Sequence, residues 1–271
     1  MTTDDGPELV AASSDRREWI IVAGQELRDL WLAGKGLALM LGFALLLSGT
    51  SYLVATNQAL NFLEQREAVS LTLQVAVAVG GLLVLLDSAD SISGERERGT
   101  LESLLVTPVS RRAIVVGKAA AALSLWAGAF LLTTPYVWYL ARGVGVTGSA
   151  LATGCLVGTV LSLFLAGLGV LVSSVTQSNR LSLSVTLFFL LAFYAPTQMP
   201  SSAQQGWFGD LLLRADPFTA GLHVLSEVVV NGRGLDQQLG WLVGPVIAAV
   251  LACAAAVAAA GRLALDSGTR S

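Results

Sequence analysis

Six long apolar runs separated by short polar islands dominate the chain. They cover approximately Leu37–Ala55, Val69–Leu86, Ile114–Leu140, Leu151–Ser174, Leu181–Ala195 and Leu242–Leu263. A helix needs about 20 apolar residues to cross the hydrocarbon core of a bilayer. The pattern therefore predicts an all-α membrane protein, a six-transmembrane-helix bundle over residues 35–265. The fifth run is the shortest, carries Ser182, Ser184 and Thr186, and ends at Pro196. It is counted because an odd number of spans would put the C-terminus on the side that the charge distribution disfavours.

Ahead of the first run the period changes. In Glu18–Trp31 the positions Trp19, Ala23, Leu27, Leu30 and Trp31 recur at steps of three and four, with Glu18, Gln25, Glu26, Arg28 and Asp29 mostly off that stripe. This predicts an amphipathic helix over 16–34, lying in the headgroup layer or docked on another part of the protein. Residues 1–15 are acidic and aperiodic, an expected disordered tail, and 266–271 form a short second tail. Two spans carry ridges of small residues at every fourth position: Gly154, Gly158, Ser162 and Ala166 in the fourth, and Gly244, Ala248, Ala252, Ala256 and Ala260 in the sixth. Such ridges let helix backbones approach closely in lipid, within one chain or between two.

Composition agrees with the membrane reading. Of 271 residues, 54% are hydrophobic and 13% charged, with a mean hydropathy of +0.69; soluble domains carry about a quarter charged residues. A net charge of −3 gives no reason to expect a nucleic-acid partner. With the N-terminus inside, cytoplasmic segments hold twelve Lys and Arg residues and outer segments four, Arg66, Arg142, Arg214 and Arg233. The positive-inside rule then puts both termini in the cytoplasm of a multi-pass protein of the cell (inner) membrane. No cleavable signal peptide is expected, since the first long run follows a charged amphipathic stretch and no A-x-A site stands behind it.

The spans offer little chemistry. No ionisable side chain falls near the middle of a predicted span, whereas ion-coupled carriers and pumps need such groups. Cys155 and Cys253 each sit in an apolar run with no second ligand nearby, so no metal site is expected. The lone His223 lies in the apolar stretch Phe218–Val230 and reads as a packed or interfacial residue. The outer segment 197–240, with Trp207, Phe208, Leu211, Leu212 and Leu213, is apolar enough to dip into the outer leaflet.

The densest polar pattern is the turn between the second and third spans, Asp87–Lys118. Asp87 and Asp90 share a helix face. Gly94 and Gly99 let the chain turn. Thr100 can cap a short helix to Val106, with Glu102 in its first turn and Leu101, Leu104 and Leu105 on one face. Pro108 ends that helix, Ser110 is placed to cap the next, and Arg111 and Arg112 anchor its start at the headgroups. The hairpin at about 94–110 suits docking into a groove on a cytoplasmic partner, or is an ordinary solvated loop.

The run Gly94 to Arg111, GERERGTLESLLVTPVSR, strongly resembles the hairpin of ABC transporter permeases of the ABC-2 type. Gln25 to Leu30 and the span layout are similar to that family too. The resemblance implies a homodimer or heterodimer with a second permease copy, and two copies of a cytoplasmic ATPase. By position, Glu95, Glu97, Thr100, Leu101, Glu102 and Leu104 would face the ATPase, with Pro108 and Arg111 fixing the hairpin and Glu26 and Asp29 on a second contact. Thr72, Gln74, Ser184, Thr186, Phe188 and Phe189 would line a path. The chain has no G-x-x-x-x-G-K-[ST] loop, so the resemblance implies no cofactor here; ATP and magnesium would belong to the separate ATPase. It implies an export permease, not an enzyme, with the substrate unidentified; the apolar outer segment would suit a hydrophobic or drug-like one. A scaffold anchoring an ATPase, or a stand-alone channel or carrier, are the alternatives.

Overall fold

The computed structural model describes residues 6–56, 62–101, 109–198, 209 and 213–262. Every regular element among them is helical: α1 (Gly6–Leu32), α2 (Lys35–Ala55), α3 (Phe62–Asp90), α4 (Ser93–Arg98), α5 (Arg111–Leu140), α6 (Thr147–Val175), α7 (Asn179–Tyr194), α8 (Pro217–Val229), α9 (Leu235–Gln238) and α10 (Val243–Ala259). Six stretches are long and apolar enough to cross a membrane: α2, α3, α5, α6, α7 with the 3-10 turn Ala195–Gln198, and α9 through α10. The six-span bundle expected from the hydropathy pattern is the architecture found.

The bounds differ where polar residues continue a helix. α1 already includes Gly6, ahead of the expected residue 16, and Leu9–Ala12 favours continuation. α3 extends beyond its apolar run at both ends, because Glu64, Gln65 and Glu67 are good helix formers and Asp87 and Asp90 find a partner described below. α7 ends as expected near Pro196, where the chain tightens into the 3-10 turn.

α3 and α6 are the centre of the bundle, with 61% of each span buried, against 22% for α2 and for the fifth span. Their contact holds Val69, Leu73, Leu85, Leu161 and Leu165, with Leu125 and Trp126 of α5 completing the core. Glycines set the spacing. A Cβ on Gly154 would lie 2.8 Å from Leu73, and one on Gly158 would overlap the Trp126 indole, whose Nε1 donates to Thr159 Oγ1 at 3.1 Å. The small-residue ridge of α10 packs on α6 within the chain: Ala252, Ala256 and Ala260 are buried, and Ala252 meets Gly167.

At one end of the bundle lie α4 and the turn from α6 to α7, the hairpin end. At the far end α8 lays Phe218, Leu225 and Val228 into the core. Asp216 caps α8, accepting from Thr219 N at 2.7 Å. His223 is packed, its ring 4.2 Å from that of Trp241.

Candidate functional site: the ion-paired hairpin end

Two features of the turn between α3 and α5 depart from the expected geometry. Gly94 does not turn the chain. It sits inside α4, buried, where any Cβ would strike the Asp90 carboxylate. Of the two glycines it is Gly99 that turns the chain, with φ of 72°. Thr100 closes it by donating its N–H and its hydroxyl to Glu95 O at 3.0 and 3.3 Å. Glu102, Leu104 and Pro108 lie outside the described residues. Ser110 caps α5 as expected, accepting from Ala113 N at 3.2 Å.

Three ion-pair and hydrogen-bond sets clamp this hairpin. Lys118, in the third turn of α5, has only 1% of its side chain exposed, and its Nζ donates to Glu26 Oε1 of α1 and Glu95 Oε1 of α4, each at 2.6 Å. One buried cation thus joins two elements far apart in sequence. Its surroundings explain the fit. Neighbouring Gly117 lets α1 settle on α5, since a Cβ there would lie 2.7 Å from Val22. The inward stripe of α1 is therefore Val22, Ala23, Glu26 and Leu30, not a face turned only to lipid headgroups; Trp31 Nε1 adds a bond to Ser124 Oγ at 3.0 Å.

The second set surrounds Asp90. Lys35 Nζ meets Asp87 at 2.8 Å and Asp90 at 3.2 Å, which realises the shared face of those carboxylates. Asn179 Nδ2 at the start of α7 donates to Asp90 Oδ1 at 2.7 Å. The third set holds α4 from below. Ser173 of α6 accepts from Ile92 N at 3.1 Å and Ser93 N at 2.9 Å, and Arg96 donates to the Thr176 carbonyl. Glu18 accepts from Ser110 N at 3.0 Å, so α1 grips both limbs of the hairpin.

Ser173→Ala would leave two buried N–H groups without that acceptor, a cost of about 1–3 kcal/mol. Amide exchange at Ile92 and Ser93 is expected to accelerate accordingly; unchanged protection at both would show that Ser173 does not hold α4.

The sequence-predicted residues divide. Leu101 is buried in a satellite cluster with Ile92, Val115, Val170, Ala256 and Ala260. Glu26 and Glu95 turn their carboxylates to Lys118. Glu97 and Thr100 are exposed beside Arg98. Asp29 is exposed on the outer side of α1, where it lines a groove of about 800 Å³ with Ile21, Gln25, Arg28 and Leu32. Arg111 is exposed, with Nη1 donating to Gly261 O at 3.4 Å. Of the expected path residues, Thr72 and Thr186 are buried and bond within their own helices, to Ala68 O and Ser182 O. Ser184, Phe188 and Phe189 lie on the outer face of α7. Gln74 lines a cavity at the far end of the bundle.

Lys118, Lys35, Ser173 and Glu18 were not singled out in the sequence as site residues. For Lys118 a signal existed: a lysine several residues inside an apolar span, preceded by glycine, needs a carboxylate within reach.

A profile of the family described as ABC-2 family transporter protein matches residues 20–263. The chain belongs to the ABC-2 transporter family. No curated protein matches it. As an ABC-2 chain it is a multi-pass membrane component of an ABC transporter, and the family implies a partner ATPase subunit. The clamped hairpin lies inside the matched region, as do all six spans.

Proposed function

We propose that this ABC-2 chain is the driven half of an exporter, with its hairpin end in the cytoplasm and seated on a separate ATPase. Two permease copies, or one copy and a related permease, pair with two ATPase subunits that hold ATP and magnesium. Lys118 is the observation that carries the reading. It makes α1 and the hairpin a single rigid body that exposes Glu97, Arg98 and Thr100 on one side and Gln25, Arg28 and Asp29 on the other. A push on that surface reaches α5 through the buried ion pairs and α6 through Ser173. A solvated loop has no need of such bracing, so the bracing favours a mechanical role. The chain supplies no catalytic group to ATP hydrolysis in this scheme.

The test is copurification with the ATPase encoded nearest in the genome. Glu97→Arg combined with Asp29→Arg reverses two exposed charges without touching the core, and is expected to reduce ATPase recovery severalfold. Leu101→Asp is the wrong probe, because it would bury a charge in the chain's own cluster. Equal recovery with the parent and the charge-reversed variant would remove these surfaces from the contact.

A further inference from the structure

The far end of the bundle holds a second polar constellation that the hairpin does not explain. A pocket of about 370 Å³ opens between α3, the end of α7, α8 and the start of the sixth span. Its principal walls are Gln74, Tyr194, Gln198, Leu222, His223 and Trp241. The volume falls at the small end of the range for ligand pockets, about 300–1,000 Å³.

The chemistry of these walls is specific. Gln74 lies nine residues inside the span that begins at Gln65, about 14 Å below its end at the helical rise. An amide at that depth is costly unless bonded. Gln74 uses one donor on Ser70 Oγ at 3.1 Å, and an amide carries a second donor and an acceptor. Tyr194 brings a phenol, and its ring meets Phe218 edge-on at 6.1 Å. The His223 and Trp241 rings pack 4.2 Å apart at a tilt of 42°, with Leu222 on the same wall.

Among the described residues, none that lines the pocket is an Asp, Glu, Lys or Arg. The nearby carboxylates are engaged elsewhere. Asp216 accepts from both Thr219 N and Thr219 Oγ1, at 2.7 and 2.6 Å. Glu227 pairs with Arg233 at 3.0 Å. The Arg214 guanidinium lies 5.0 Å from the Trp241 ring centroid, so the aromatic face that would attract a cation already has one. Burial holds the His223 imidazole below its usual pKa, with Arg233 acting in the same direction and Glu227 opposing, which keeps the ring uncharged at neutral pH.

We propose that this pocket binds a neutral amphiphile: an apolar, ring-bearing body on Leu222 and Trp241, with hydroxyl or carbonyl groups reaching Gln74 and Tyr194. The inference deepens the export reading by giving the class of cargo, while the binding itself requires no ATPase.

The purified chain in nanodiscs tests it with two photoreactive probes that share one benzophenone body, one bearing a glucoside and the other a trimethylammonium group. Adducts are mapped by mass spectrometry. The glucoside is expected to label α8 and the Trp241 segment saturably, and the ammonium probe to label them about tenfold less, the equivalent of about 1.4 kcal/mol. Gln74→Leu removes the deep hydrogen-bonding group and Leu222→Trp fills the space; each is expected to reduce labelling about tenfold. Melting curves matching the parent confirm that either variant remains folded, and one folded variant suffices. Labelling that does not saturate, is equal for the two probes, or persists in a folded variant overturns the proposal. Since no ATPase is present, that failure leaves the copurification result standing, and loss of copurification would leave the pocket standing.

Discussion

Glu26→Gln combined with Glu95→Gln is expected to destabilise the protein by about 3–5 kcal/mol, the usual cost of stranding a buried charge. The effect exceeds what Lys118→Met alone should produce. The asymmetry follows from exposure: the Lys118 side chain is 1% accessible, whereas Glu26 and Glu95 keep 27% and 20%. Of the carboxylates stranded by Lys118→Met, Glu26 can recover water while Glu95 keeps a buried Oε2, at a cost of about 1–3 kcal/mol. An ammonium stranded by the double change cannot. Each single Glu→Gln variant retains one carboxylate at 2.6 Å and should lose the least. The triple variant, with Met at 118 and Gln at both other positions, buries no charge, so it is expected to regain most of the parent's stability. Denaturation midpoints in mixed micelles give the ranking. A double variant no less stable than Lys118→Met would mean that the ammonium reaches water by another route and that the bridge is ornamental.

That network also shows where the sequence was readable. Ser110 as a cap, Pro196 as a stop and the shared face of Asp87 and Asp90 are local facts, fixed by spacing of one helical turn or less, and each appears in the structure as expected. The six spans were legible because length and hydropathy alone decide them. Lys118 was half legible: its place inside an apolar span asks for a partner, but a lysine near a span end also satisfies the positive-inside rule, and its two carboxylates lie 92 and 23 residues away. Leu101 was misleading for a related reason. An apolar face on a short helix looks the same whether it awaits another protein or folds onto its own, and only the positions of Val115, Val170 and Ala256 decide between them. Glu95 stood beside Glu97 in an alternating charge run, and nothing in that run marks which carboxylate turns inward. The path residues of α3 and α7 rest on resemblance alone, and Gln74 shares a cavity with other polar groups.

Gly167→Ala is the second large effect, and it is best read against Gly42→Ala. Both glycines are in spanning helices, and in a helix interior Gly→Ala gains up to about 1 kcal/mol from backbone entropy. A Cβ on Gly42 meets nothing within 4 Å, so that variant should keep the gain. A Cβ on Gly167 would stand 2.7 Å from Cys253 N and 2.8 Å from the Ala252 carbonyl carbon. Those are backbone atoms of α10, which cannot rotate aside as a side chain does. The helix must move, and overpacking of this kind costs about 1–3 kcal/mol. The same substitution should therefore change sign between two spans of one bundle, and Gly167→Leu should be worse than Gly167→Ala. The damage should also travel. Val170 lies one turn from Gly167, in the cluster that Ala256 and Ala260 share with Leu101 and Ile92, so displacing α10 loosens the floor on which the hairpin rests. Faster amide exchange in α4 of Gly167→Ala would register that coupling, and α4 protection equal to the parent's would confine the effect to the α6–α10 seam. Gly167 is not on the four-residue ridge of its own helix, which runs through Ala166 and faces the core. A ridge in the sequence indicates that a helix packs closely, but the glycine that admits a given neighbour is fixed by where that neighbour lies.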